Sequence, residues 1–271
     1  MKSVLVTGAN KGIGLAVVEA ILREQTGYKV ILGSRNSQRG KTAMDSLLAV
    51  ENSWSDRVEV LELDVGSDTS VSDAAAVIAD LPPIHGLVNN AGLALGGLEA
   101  ILNVNLYGIK RMCDAFAPKI EPGGRIVNVT SASGPNYVAR CDSQKQAFFT
   151  DADVSWEQLE RFIGDTGEVD SDYGFSKACA NSYTMYLAKC HPQLAVNACT
   201  PGFIETDLGK DFLGARTPQE AGMKTPAEGA RVIMSLLFEP ARGTGHYYGS
   251  DGLRSPLDRY RAPGSPEYTG D

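Results

Sequence analysis

Cationic charge is scarce in this chain. Its 25 lysines and arginines face 33 aspartates and glutamates over 271 residues, a formal net charge of −8. A surface of that sign repels phosphate backbones and anionic headgroups, so neither nucleic acid nor membrane is an expected partner. Histidine is scarcer still. His85, His191 and His246 lie far apart in sequence and form no ligand pattern, so no metal is expected. The five cysteines, Cys113, Cys141, Cys179, Cys190 and Cys199, are odd in number and have no C-x-x-C spacing, which argues against a disulfide framework or a structural zinc site. No apolar stretch approaches the ~18 residues of a membrane helix, and the chain opens directly on a strand-like run rather than a leader. The expectation is a soluble cytoplasmic protein. Nothing reads as a hinge or linker, and a chain of this length buries roughly three quarters of its unfolded surface.

What is present begins with glycine in a telling place. Lys2–Thr7 is a short apolar run of β-branched character that stops at Gly8-Ala9-Asn10-Lys11-Gly12-Ile13-Gly14. Beyond it Ile13, Val17, Val18, Ile21 and Leu22 recur at helical spacing, and a second strand is expected at Tyr28–Gly33. The glycines therefore join a strand to a helix in a β-α-β unit. Gly8 permits the tight turn, Gly12 lets the backbone approach a pyrophosphate, Gly14 allows close packing, and the helix N-terminus attracts the anion. At the end of the second strand, where a carboxylate would bind the ribose of NAD, the chain has Gly33-Ser34-Arg35-Asn36. Arg35 can take the 2′-phosphate of NADP as a bidentate partner, and Lys11 adds a second positive charge. NADP is the expected cofactor.

Further along, Tyr173-Gly174-Phe175-Ser176-Lys177 opens a segment with helical periodicity to Cys190. Residues four apart share a helical face, so Tyr173 and Lys177 address one small space. An ammonium about 5 Å from a phenol, at an effective dielectric of about 20, stabilises the phenolate by roughly 3 kcal/mol, which predicts a lowered tyrosine pKa and a usable proton donor. Gly124–Ser131 reads as a strand whose hydroxyl terminus, Ser131, points into the crevice where doubly wound sheets bind ligands.

These stretches resemble the short-chain dehydrogenase/reductase family. Thr7 through Gly14 match its T-G-x-x-x-G-x-G loop, Asn89-Asn90-Ala91-Gly92 its N-N-A-G and Val104–Gly108 its V-N-L-x-G, while Ser131, after Thr130, aligns with the second hydroxyl of its N-x-S-S. Pro201-Gly202-Phe203-Ile204-Glu205-Thr206 is similar to its P-G-x-x-x-T segment. The resemblance implies Ser131, Tyr173, Lys177 and Asn105 as the catalytic set, Asn105 helping to hold a proton-relay water near Lys177. It implies cofactor contacts from Thr7, Gly8, Asn10, Lys11, Gly12, Ile13 and Gly14, then from Arg35, Asp64 and Val65. Further contacts are implied from Asn90, Ala91 and Gly92, from Tyr173 and Lys177, and from Pro201, Gly202, Ile204 and Thr206. Asp64 serves equally well as a cap for the turn after its strand. Ser131, Tyr173, Leu93 and Phe203, with Ala94 and Ser133, are the expected substrate contacts.

From Ser131 to Tyr173 the gap is 42 residues, where most of the family has about a dozen. The insert, about residues 135–170, carries an expected short helix begun at Ser155. In this it resembles the monomeric carbonyl reductases, whose extra helical segment covers the surface that tetrameric relatives use for assembly, so a monomer is expected. One helix is expected over about 98–117, one around 71–80 before the Pro82-Pro83 break, and one over 226–238 capped by Thr225. Residues 211–224 read as a lid, and the tail from about 253 to 271 as irregular surface chain.

The whole predicts an α/β protein: a single Rossmann-type, doubly wound parallel sheet of about seven strands that reduces a small ketone or aldehyde with NADPH. The alternatives are an NADP-dependent alcohol or steroid dehydrogenase working oxidatively, and an NADP-binding regulator without catalysis.

Overall fold

Val4, Leu5 and Val6 are fully buried, as expected of a parallel strand covered on both faces. In the computed structural model, which describes residues 1–78 and 83–270, β1 (Lys2–Val6) lies between β2 (Tyr28–Ser34) and β4 (Ile84–Asn89). Outside β2 runs β3 (Val58–Glu62), and beyond β4 come β5 (Ile120–Val129), β6 (Ala195–Cys199) and β7 (Tyr247–Tyr248). The order is β3-β2-β1-β4-β5-β6-β7-β8. Seven strands are parallel, as the sequence predicts. An eighth, β8 (Arg254–Ser255), closes the edge antiparallel to β7.

Side chains alternate across a strand, so β1 feeds two cores. Val4 and Val6 join Val17, Val18 and Ile21 of α1 (Gly12–Glu24) and Ile233 and Leu237 of α11 (Pro226–Phe238). Leu5 faces the other way, toward Phe116, Phe175 and Tyr183. Strand order reverses between β2 and β4, one on each side of β1, which opens a crevice above the carboxyl ends of the strands. The described chain is thus a single Rossmann-type α/β domain.

The structure refines several local details. The helix predicted over 98–117 is two, α4 (Leu98–Asn105) and α5 (Tyr107–Phe116), interrupted at Leu106 beside the buried, backbone-bonded side chain of Asn105. The cap of α2 (Ser37–Val50) is Asn36, whose carboxamide oxygen accepts from the Arg39 N–H at 2.8 Å. The helix predicted around 71–80 is α3 (Asp68–Val77), while Asp80 and Pro82 of that expectation lie outside the described residues. The tail is irregular beyond β8 but anchored. Arg261 pairs with Asp251 and donates to Ser255 Oγ at 2.9 Å and the Ser265 carbonyl at 2.7 Å, which ties the segment to the end of the sheet.

The insert is helical throughout much of its length: α6 (Ser133–Val138), α7 (Ser143–Thr150) and α8 (Trp156–Asp165). Helix α8 begins with a Ser155/Gln158 capping box. Phe148, Phe149 and Phe162 then pack on Phe175 of α9 (Asp172–Cys190), with Phe148 and Phe162 stacked at 4.2 Å. Among the described residues no helix is long and apolar enough to cross a membrane, and no group of three or more His, Cys, Asp or Glu side chains could hold a metal ion.

Candidate active site

The glycine loop owes its shape to two left-handed residues, Gly8 (φ 62°) and Gly12 (φ 58°). A Cβ on Gly8 would lie 2.9 Å from Ala91 Cα, so the loop touches the segment after β4. Thr7 fastens the two together. Its hydroxyl accepts from the N–H groups of Asn90 and Ala91 at 2.9 and 3.0 Å, and Asn90 Nδ2 donates back to the Thr7 carbonyl at 2.9 Å. Thr7 and Gly14 were expected to touch cofactor but lie beneath the loop: Thr7 is buried, and a Cβ on Gly14 would meet Asn90 Nδ2 at 2.6 Å. The other expected loop residues, Gly8, Asn10, Lys11, Gly12 and Ile13, face a cleft of about 950 Å³ that runs over the strand ends.

One end of this cleft is basic. Arg35 lines it as expected, and so does Arg39, which sequence reasoning missed. Its position in the first turn of the helix after β2, four residues beyond Arg35, was the available clue. Lys11 departs from expectation, because its ammonium pairs with Asp207 of α10 (Asp207–Lys210) across the groove. Asp64 and Val65 also line the cleft, although the Asp64 carboxylate accepts from the Gly66 N–H at 2.9 Å and so serves its own turn as well. Asn90, Ala91 and Gly92 continue the wall, and Pro201, Gly202, Ile204 and Thr206 face it from beyond β6. The Thr206 hydroxyl caps α10, accepting from the Gly209 N–H at 3.0 Å.

Ser171 caps α9, accepting from the Gly174 N–H at 3.0 Å, and the helix then carries Tyr173 and Lys177 to the cleft on one face. Two glycines bring the Ser131 segment against it. A Cβ on Gly134 would lie 3.1 Å from the Lys177 carbonyl carbon, and one on Gly174 would lie 3.1 Å from the Ser133 carbonyl oxygen. Ser131 Oγ accepts from the Ser133 N–H at 3.1 Å and faces the cleft. Neighbouring Thr130 is buried, with its hydroxyl donating to the Cys199 carbonyl at 3.3 Å. Of the two hydroxyls, that of Thr130 is thus engaged by the backbone of the next strand.

Lys177 is buried, and its ammonium donates to the Val129 carbonyl at 3.1 Å. Burial disfavours a charge, which lowers the Lys177 pKa from 10.5 to about 8. The same effect works on Tyr173 in the opposite direction. Its phenol is pushed up to about 12 by burial, against a smaller lowering from the Ser131 hydroxyl. The expectation of a lowered tyrosine pKa is therefore corrected, because desolvation of the phenolate dominates. Asn105 lies behind the cleft wall rather than on it. Its carboxamide accepts from Leu93 N–H at 2.8 Å and donates to Leu93 carbonyl at 2.9 Å and Ser176 Oγ at 3.0 Å. It still reaches the same neighbourhood, since a Cβ on Gly92 would stand 3.2 Å from Asn105 Oδ1 and 3.6 Å from Lys177 Nζ.

A family model described as short chain dehydrogenase matches residues 2–143. The chain belongs to the short-chain dehydrogenase/reductase family. It is 32% identical over 262 residues to carbonyl reductase [NADPH] 3 of Rattus norvegicus, covering 86% of this chain and 90% of that protein. It is 30% identical over 286 residues to (+)-neomenthol dehydrogenase of Arabidopsis thaliana, covering 89% and 92%. Salutaridine reductase from Papaver somniferum superposes with a TM-score of 0.75 at 25% identity, over 92% of this chain and 99% of that one.

Within this short-chain dehydrogenase/reductase site the residues fit a dinucleotide. The two left-handed glycines hold the loop against Ala91 and Thr206, where a Cβ would crowd, and the guanidiniums of Arg35 and Arg39 line the groove. Leu93, Ala94, Ser133 and Phe203 line the cleft as expected of substrate contacts. Three further contributors went unread in the sequence: Phe212 beyond α10, Tyr247 of β7 and Tyr260 of the tail.

Proposed function

We propose that the protein reduces a ketone or aldehyde with NADPH, because Ser131, Tyr173 and Lys177 converge above β5 beside a groove cradled by glycine and ended by arginine. It is an NADP-dependent oxidoreductase of the carbonyl reductase type. Arg35 and Arg39 hold the 2′-phosphate, and the loop from Gly8 to Ile13 holds the pyrophosphate together with Thr206. Asp64 and Val65 flank the adenine, while Asn90, Ala91 and Gly92 with Pro201, Gly202 and Ile204 enclose the ribose and nicotinamide. Thr7 and Gly14 support the loop from below.

NADPH held in this groove would supply the hydride for the carbonyl carbon. Ser131 and Tyr173 hydrogen-bond the carbonyl oxygen, whose charge grows as the bond forms. Tyr173 donates its proton to that oxygen. A phenol held near 12 is fully protonated at neutral pH, and an alkoxide is a much stronger base than phenolate, so the transfer runs downhill. The Lys177 cation then stabilises the phenolate left behind and binds the ribose hydroxyls. Asn105, which fixes Leu93 and the wall at Gly92, holds the route by which a proton returns through Lys177.

An oxidative role, suggested by the neomenthol dehydrogenase relative, requires Tyr173 to accept a proton from an alcohol, so it requires phenolate. The direction that runs is set by the coenzyme ratio and the substrate couple rather than by this side chain. The protein acts as a monomer in the cytoplasm: α7 and α8 cover the face of α9 with buried aromatic rings, and all five cysteines are free thiols. A panel of carbonyls assayed with NADPH and NADH tests the proposal. Turnover with NADPH supports it, whereas tight NADPH binding with no turnover on any carbonyl overturns it in favour of a regulator.

A further inference from the structure

Six large hydrophobic side chains stand exposed among the described residues, and three of them, Leu95, Phe212 and Tyr260, line the cleft. Tyr260 is 52% exposed and Phe212 44%. Water-facing rings gathered around an opening mark a surface that a ligand covers. They approach from three separate parts of the chain. Leu95 follows β4, Phe212 follows α10, and Tyr260 belongs to the tail after β8.

Their placement relative to the reacting phenol is specific. The Phe212 ring lies 5.2 Å from the Tyr173 ring, inclined at 45°. Tyr247 of β7 is buried and lines the same cleft as Tyr173 and Tyr260. Phe212, Tyr173, Tyr247 and Tyr260 thus set four aromatic rings along the wall of the cleft that holds the reacting phenol.

The outermost ring is on a fixed support. Arg261, next to Tyr260, is nearly enclosed: it pairs with Asp251 and bonds Ser255 Oγ and the Ser265 carbonyl. Gly264 N–H also donates to the Asp251 carboxylate at 3.1 Å. Beyond it Tyr268 N–H donates to the Arg254 carbonyl at 3.0 Å, while the guanidiniums of Arg254 and Arg259 lie over the Tyr268 ring. A tail with this many anchors presents Tyr260 at low entropic cost on binding.

We infer that Tyr260, with Phe212, is a specificity residue that selects fused-ring aryl ketones over small aliphatic carbonyls. Flat polycyclic substrates cover both exposed rings while their carbonyl reaches Tyr173, and a short ketone reaches Tyr173 without touching Tyr260. Stacking on the wall, rather than a hydrogen bond from the Tyr260 hydroxyl, supplies the preference.

This inference rests on the reductase reading above, and the experiment separates the two. kcat/KM is measured with NADPH for 1-tetralone and for 2-butanone, using the wild-type protein, Tyr260→Ala, Tyr260→Phe and Phe212→Ala. The wild type prefers 1-tetralone. That preference falls by about 10-fold in Tyr260→Ala and in Phe212→Ala, mainly through KM, and Tyr260→Phe keeps it. A preference unchanged in Tyr260→Ala, or a wild type that favours 2-butanone, overturns the inference while leaving reductase activity established. Absence of turnover on both ketones, together with the rest of the carbonyl panel, overturns the reductase reading itself.

Discussion

Lys177 holds its ammonium 5.5 Å from the centre of the Tyr173 ring, one helical turn away, while donating a hydrogen bond to the Val129 carbonyl at 3.1 Å. The cation is therefore anchored to the end of β5 rather than to the phenol. It lies close enough to stabilise a phenolate when one forms, yet it does not create one in advance, since Tyr173 remains pushed up to about 12.

Removing the phenol isolates its role. Tyr173→Phe lowers kcat by at least about 10²-fold, the usual scale of a lost general acid, and leaves the NADPH Kd within about 2-fold. Single-turnover kinetics and fluorescence titration check this. Residual turnover close to wild type would refute the assignment.

Lys177 carries a pH signature. Its pKa is lowered from 10.5 to about 8, so the folded protein releases this proton first as the pH rises. kcat/KM for reduction falls as the pH passes through about 8, because the neutral amine no longer supports the phenolate. The stability sign follows from the same shift. Below pH 8 the buried charge costs stability, and that cost is relieved as the pH climbs from 8 toward 10.5. Lys177→Met is consequently inactive yet more stable at pH 7, by up to about 3 kcal/mol, and its advantage shrinks across that window. Denaturant titrations at pH 7 and pH 9.5 measure the difference, and an advantage that grows with pH contradicts it.

The basic end of the groove sets cofactor choice. Arg35→Ala and Arg39→Ala each weaken NADPH binding by roughly 10- to 100-fold, the range of one lost charge-assisted contact, and change NADH binding little. Lys11→Ala weakens NADPH by less than about 5-fold, since its ammonium is already paired with Asp207 in an exposed bridge. Calorimetry with both coenzymes checks the ranking. A Lys11 effect equal to that of Arg35 would place the 2′-phosphate elsewhere.

Close approach of α6 to α9 depends on Gly134. Gly134→Ala puts a methyl 3.1 Å from the Lys177 carbonyl carbon and 3.2 Å from the Ala178 nitrogen, backbone atoms that cannot turn aside. The expected cost is about 1–3 kcal/mol, with a loss of kcat as Ser131 is displaced from Tyr173. Thermal unfolding and kinetics together test it. A variant as stable and active as wild type shows that α6 shifts freely.

Much of the site was legible in local chemistry. A glycine between a strand and a helix at Gly8 or Gly12 has few other uses, and a tyrosine four residues before a lysine shares its helical face whatever surrounds it. The capping boxes at Ser155 and Thr225 likewise depend on residues three apart and were readable from the chain. Asn105 was recognisable as an unusual residue for a helix, although its partners Leu93 and Ser176 were not.

Sequence by itself determined the parallel sheet, the dinucleotide turn and the order of the reacting side chains, because each follows from neighbours within a few residues. Only the tertiary structure decided the charge state of the reacting pair, the release of Lys11 to Asp207, the use of Arg39, and the return of the tail to the cleft with Tyr260. Those outcomes depend on burial and on contacts between segments far apart in the chain, and desolvation in particular is a property of the enclosed site that no short stretch carries.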